Sequence, residues 1–353
     1  MTTVPAAGES RDLRALAERV SRSNSAAEAL VAPDYVLHTT PGELTARGPD
    51  GRRAFLEQRA TASRDLQAAP VEILVEGDLT VTRSRLTGTQ TGPFEGLPAT
   101  YLPFETREVV FTRWRDGLIA EEWRVFNAYE VLNQVELFPD PGLGGLFRFG
   151  RKIGKLAKEA RADGHRPIDA LPPLVPPLVT LPTVSAADRE RNRAAFLRVF
   201  RDVLNGHDHA AARELLSPDV VFYPVDTPKP VRGIDGFLAF VDGLHVGFPD
   251  METKVQLTVA EGDRAAALVH TTGTNDGPFG PNVATGRKVS FLEIIGGRFD
   301  EQSRGTEIVL ELDLIGMIRQ LGFIPKPDGG PRDTVAFLTR SVARELRAKL
   351  SRS

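Results

Sequence analysis

Residues 76–100 read EGDLTVTRSRLTGTQTGPFEGLPAT, and residues 261–285 read EGDRAAALVHTTGTNDGPFGPNVAT. Glu76, Gly77 and Asp78 recur as Glu261, Gly262 and Asp263. Gly88, Thr89, Gly92, Pro93 and Phe94 recur as Gly273, Thr274, Gly277, Pro278 and Phe279, at a constant offset of 185 (273 − 88 = 185). Solenoid repeats are far shorter, about 20–50 residues. A unit of this size is a whole domain, so the 353 residues hold one domain twice, in keeping with a typical domain length of about 100–200 residues.

Each copy shows the same order of elements. In the first, residues 10–31 carry a helical pattern with Leu13, Leu16, Ala17 and Val20 on one face, and a second helix is expected at Ala26–Leu30. A short strand follows in PDYVLHTT. Residues 47–60 open with a turn and continue as a helix. Strands are expected at 70–75 and 79–90, joined by the turn Glu76-Gly77-Asp78, and at 105–114 and 118–126, joined by Arg115-Asp116-Gly117. GTQTGPFEGLP is a loop, and Asn127 precedes a short helix. The second copy repeats the series with a helix at 187–204, a strand at Asp219–Tyr223, a hairpin at 254–274, strands at 287–297 and 304–312, and Asp313 before the last helix. Helices first, then long antiparallel strands, is an α+β order. The expected fold is two tandem cone-shaped α+β barrels, each with N-terminal helices packed on a curved antiparallel sheet.

The domains are expected at 9–140 and 187–325. Between them, 141–186 carries a basic helix (roughly 146–162) and a linker in which Pro167, Pro172, Pro173, Pro176, Pro177 and Pro182 favour extended chain. A second basic amphipathic helix, at about 333–350, closes the chain within 326–353. Such helices can lie on membranes, but their recurrence in both copies favours packing across the domain or its partner. The charged fraction of 26% and net charge of −3 describe a globular protein with no nucleic-acid surface. There is no cysteine, no apolar leader and no run of membrane-spanning length, which suits the cytoplasm. Nor is there a phosphate loop or a Rossmann fingerprint. His207 and His209 of the GHDH turn read as a helix-ending loop, because zinc wants three or four converging ligands; no metal and no cofactor are expected.

The segments APDYVLH, RGPDGRRAF, VEGD, GTQTGPFEGLPAT and EEWRVFNAYEVLNQ, with LLSPDVVFYP, RGIDGFLAF, AEGD, GTNDGPFGPNVATGRKVSF and DLIGMIRQLGFIP in the second copy, resemble the SnoaL-like polyketide cyclase family of the nuclear-transport-factor-like superfamily. The resemblance covers nearly all of 10–140 and 190–325. It implies a cone-shaped pocket for a hydrophobic small molecule, and a two-fold dimer through the sheets. Tandem copies could build that dimer within one chain, with a homodimer as a further possibility. Some members close polyketide rings by aldol condensation; others isomerise, hydrate or hydrolyse.

The resemblance places an acid/base aspartate at the end of the last strand, here Asp313. Residues two apart on a strand share a face, which adds Glu311 and Glu307. Asp is also a favoured helix cap, and the matching residue in the first copy is Asn127, which caps but cannot carry a proton; both roles stay open. A catalytic Asp313 would make the second copy the active one. Expected ligand-facing residues are His38 and its counterpart Tyr223, Trp123, Asn127, and the loop amides Gln90 and Asn275, which stand where many relatives carry His. Three functions follow: a cofactor-independent cyclase or isomerase, a non-catalytic binding or scaffolding protein, and an epoxide hydrolase-like enzyme using the carboxylates.

Overall fold

The computed structural model describes residues 7–22, 29–39, 44–138, 142–162, 168–227, 229–280 and 283–324. The expected helix at 333–350 and most of that at Ala26–Leu30 lie outside these residues. The first domain contains α1 (Ala7–Arg22), β1 (Val31–Thr39), β2 (Leu44–Arg47), α2 (Gly48–Ala62), β3 (Gln67–Glu76), β4 (Leu79–Thr89), β5 (Pro103–Arg115), β6 (Leu118–Phe126) and α3 (Ala128–Gln134). After α4 (Gly142–Ala162), the second domain repeats the plan. It runs through α5 (Ala186–Arg198) with a π turn at Val199–Asn205, α6 (His209–Leu215), β7 (Leu216–Tyr223), β8 (Val231–Arg232), α7 (Ile234–Gly247), β9 (Glu252–Glu261), β10 (Arg264–Thr274), β11 (Lys288–Phe299), β12 (Gly305–Leu312) and α8 (Leu314–Gln320).

The two sheets have the same strand order, β2-β1-β6-β5-β4-β3 and β8-β7-β12-β11-β10-β9. The expected all-antiparallel sheet needs one correction. β1 runs parallel to β6, and β7 parallel to β12, so each sheet is mixed, and neither closes into a barrel. The parallel pairing arises because β1 enters from the helices and returns to the sheet beside the last strand, a non-local partner that no local pattern announces.

Strand alternation divides each sheet into two faces. In the second domain, Val269, Phe291, Ile295, Ile308, Leu310 and Leu312 face the helices and join Phe196, Phe200, Val203, Phe237 and Val241 in one apolar core. In the first domain, Tyr35, Leu37, Ile73 and Val75 face α1. The opposite faces meet each other. Leu74, Val81, Val109, Phe111, Trp123 and Val125 of one sheet share a cluster with Val259, Leu268, Leu292 and Ile294 of the other.

The repeated EGD turn closes this contact reciprocally. Glu76 accepts from Ala260 N at 2.9 Å and pairs with Arg193 on α5. Glu261 accepts from Val75 N at 2.7 Å and pairs with Arg14 on α1 at 2.5 Å. The proline-rich segment lies along β3, with Val179 N donating to Val71 O at 2.8 Å and Gln67 exchanging bonds with Pro172 O and Leu174 N. It covers a strand edge that would otherwise be open. None of the helices among the described residues is long and apolar enough to cross a membrane.

Candidate functional site

The repeated loop is built by its amides and glycines. Gln90, fully buried, donates to Gly92 O at 2.7 Å and Pro98 O at 3.1 Å, and accepts from Thr100 N and Oγ1 at 2.6 and 2.7 Å. Asn275 does the same with Gly247 O, Gly277 O, and Thr285 N and Oγ1. A primary amide offers two donors and one acceptor oxygen with two lone pairs, so both side chains are spent on holding the loop. A Cβ at Gly92 would stand 2.0 Å from Thr61 O, and one at Gly277 1.8 Å from Val246 O. The spacing repeated within GTxxG thus serves the close passage of the loop over the end of α2 or α7.

The other expected residues do not converge on one place. Asp313 caps α8, its Oδ1 accepting from Gly316 N at 2.8 Å; Asn127 caps α3 in the same way at 3.1 Å and also donates to Val225 O of the second domain at 2.9 Å. Glu307 and Glu311 share a strand face, but it is the face between the domains. Both line an interdomain cavity of about 40 Å³ with Glu72, Arg83 and Arg264. Glu311, 1% exposed, has Arg107 Nε 2.9 Å from its Oε1, yet the N–H is not aimed at it and no hydrogen bond forms. Burial pushes this carboxyl up to about 7 against the opposing pull of Arg107. Glu307 lies 3.5 Å from Arg264. His38 stacks on Trp123 at 5.4 Å and contacts Glu121 at 2.8 Å, while Trp123 belongs to the apolar cluster shared by the two sheets. Tyr223 ends β7, half-buried, opposite Val309.

The helix-facing sides of the sheets carry the chemistry that sequence reasoning passed over. In the first domain, Glu122 (1% exposed) accepts from Tyr35 Oη at 2.5 Å, Arg52 Nε at 3.1 Å and Arg124 Nη2 at 3.0 Å. Arg124 continues to Glu108 at 3.1 Å, which Arg59 reaches from α2 at 2.5 Å. Burial alone would raise both carboxyls, but the guanidinium groups override it and hold both below the usual glutamate range. Tyr35 is pushed up, by burial first and then by Glu122.

The second domain holds one carboxyl in the matching place. Glu293 on β11 corresponds to Glu108 (293 − 108 = 185). It lies between Phe291 and Ile295, both in the apolar core, on the strand face they share. Residues matching the three arginines are apolar: Phe237 for Arg52, Leu244 for Arg59 (237 − 52 = 244 − 59 = 185) and Leu310 for Arg124. The last match comes from register, since Glu108 pairs with Phe126 as Glu293 pairs with Leu312. Among the described residues, Glu293 has a single hydrogen bond, from Thr271 Oγ1 at 2.5 Å; Thr271 in turn meets Thr253 Oγ1 at 3.2 Å. Burial pushes Glu293 up to about 7, opposed only by Thr271. A carboxyl so placed exchanges a proton readily at neutral pH. Its sequence signal is the single acid of FLEII on a strand otherwise apolar on that face.

The family model for the SnoaL-like polyketide cyclase matches residues 11–135 and again 194–321. The chain belongs to this family. Membership supports a function of the cyclase or isomerase kind. None of the curated proteins matches it. Among solved structures, a protein assigned as a SnoaL-like polyketide cyclase from Jannaschia sp. CCS1 is 24% identical, with a TM-score of 0.37, covering 41% of this chain and 100% of that one. AclR of Streptomyces galilaeus, assigned as a hydroxylase, is 26% identical over 39% of this chain and 99% of its own, with a TM-score of 0.35. IdmH of Streptomyces antibioticus, assigned as a polyketide cyclase, is 25% identical over 37% and 98%, with a TM-score of 0.33. Each of these relatives is the length of one copy.

Proposed function

We propose that the chain is a cofactor-independent cyclase or isomerase acting on a hydrophobic, polyketide-like carbonyl compound, with the chemistry in the second domain and Glu293 as the acid/base group. One observation carries this reading: a carboxyl buried in an apolar core, with no cation near it among the described residues and its pKa pushed to about 7. Ionised, it takes a proton from the carbon beside a ketone; the same proton is then returned to another carbon for isomerisation, or, in ring closure, to the oxygen of the second carbonyl, whose carbon has formed the new C–C bond as its C=O π bond opened. Thr271 holds one carboxylate oxygen, leaving the other to face substrate. The half-buried Phe240, Phe279, Ile318 and Phe323 packed against this core suit a flat, apolar ligand.

The first domain supports a binding or scaffolding role on this reading. Its two buried carboxylates are saturated by arginines and stay ionised, so neither is a proton donor at neutral pH.

The experiment is exchange of substrate α-protons for deuterium, followed by NMR over a panel of cyclic enones and aromatic β-polyketones. The wild type exchanges with an inflection near pH 7, and Glu293→Gln, with the same shape, does not. Full exchange by Glu293→Gln overturns the proposal.

A further inference from the structure

Outside its core, the second domain brings three ligand-type side chains to one point. His207 follows the π turn, with its backbone in the left-handed region (φ 52). His209 opens α6, and Asp242 lies on α7. The Nε2 atoms of both histidines are 2.7 Å from the same Asp242 Oδ1. All three donor atoms lie within 4.8 Å of one another. His245, one turn beyond Asp242, stacks on the His207 ring with centroids 4.1 Å apart and planes 14° apart; its own Nε2 donates to Leu204 O at 2.9 Å. The His207 ring is therefore buttressed from one side by a ring that is itself anchored.

Two imidazoles and one carboxylate, all half-exposed, form a donor set for a zinc-class cation. Imidazole selects zinc, cobalt or nickel over magnesium and calcium, which prefer oxygen ligands throughout. Zinc bonds of about 2.0–2.1 Å in a tetrahedron separate ligand atoms by roughly 3.3 Å. The two 2.7 Å contacts thus need to open by only about 0.6 Å, which side chains near solvent accommodate by small rotations. The open face leaves the fourth position to water.

We propose that His207, His209 and Asp242 bind one zinc-class divalent cation, with His245 as a positioning residue, and that the ion ties the connection between the π turn and α6 to α7. The site is particular to the second copy, because the first copy's residues 1–140 contain only His38. It is independent of the reading of Glu293.

The test uses full-length protein without a histidine tag, stripped by chelator and titrated with zinc against a chromophoric competitor, then with cobalt for its tetrahedral absorption bands. One equivalent per chain, a rise in melting temperature with zinc, and at least about tenfold weaker binding in both Asp242→Asn and His209→Ala are expected. His270→Ala, whose ring contacts Ser290 Oγ and is not among the three converging side chains, leaves binding unchanged. Absence of a bound equivalent at up to about a hundred micromolar zinc, or equal affinity in Asp242→Asn, overturns the proposal. Asp242→Asn nearly preserves shape, so loss of folding in the alanine variant leaves the test intact. Fully retained cobalt bands in a folded His209→Ala protein also overturn it.

Discussion

Glu108 and Glu293 occupy the same strand position in two copies of one fold and have opposite electrostatics. Both are buried, and burial raises both. Around Glu108 the sequence supplies Arg59 and Arg124, and the carboxyl is held low. At the positions matching those arginines the second domain has Leu244 and Leu310, and the carboxyl rises to about 7. Burial sets the scale of a pKa shift, and the partners set its sign. One geometry therefore gives a fixed charge in one domain and, in the other, a carboxyl whose pKa is raised to about 7.

The largest expected effect of breaking this contrast comes from Arg124→Leu, which writes the second domain's residue into the first. Glu122 and Glu108 each lose a partner while remaining buried, and stability falls by about 3–5 kcal/mol, measured by urea unfolding at pH 7. Next is the pH dependence. A carboxyl whose folded pKa is about 7, against an ordinary 4.5, binds its proton more tightly in the native state. Its stabilising contribution is full below pH 4.5 and is lost as pH rises through 7, a change of about 3 kcal/mol. Glu108, held low, has the opposite sign, its contribution present above the ordinary glutamate pKa and lost in acid. Glu293→Gln removes its share of the fall in stability between pH 5 and 8, read from melting curves across that range; an unchanged slope would place the raised pKa elsewhere. Smaller, and alike in both copies, are Gly92→Ala and Gly277→Ala, each costing about 1–3 kcal/mol through collision with a helix-end carbonyl. Smallest is Asp313→Asn. Asn127 already serves at the matching cap, so stability changes by no more than about 0.5 kcal/mol and deuterium exchange proceeds at the wild-type rate. A loss of exchange in that variant would move the chemistry from Glu293 to Asp313.

The repeat made the two domains and their elements legible, since a 185-residue offset and strand alternation are local properties of the chain. The parallel place of β1 beside β6 was not, because it depends on contacts between residues some 85 apart in sequence (His38 with Trp123). The candidate site was obscured for a related reason. Parity grouped Glu307 and Glu311 with Asp313, but the two glutamates line the interdomain cavity while Asp313 caps α8; a sheet has two faces, and which one turns to the helices is decided only when the other sheet covers its back. Glu293 is a lone acid in an apolar run, and its meaning lies in what surrounds it from α7 and β12. The EGD turn gave a hairpin from sequence; that its glutamate crosses to the partner domain is a tertiary fact.

The reciprocal clasp of Glu76 and Glu261 has an evolutionary corollary. Identical subunits joined through such a contact must carry every substitution twice, in both hollows at once. Fusing the halves into one polypeptide lifts that constraint, so one half can keep its guanidinium scaffold while its twin trades arginine for leucine and takes on a different task.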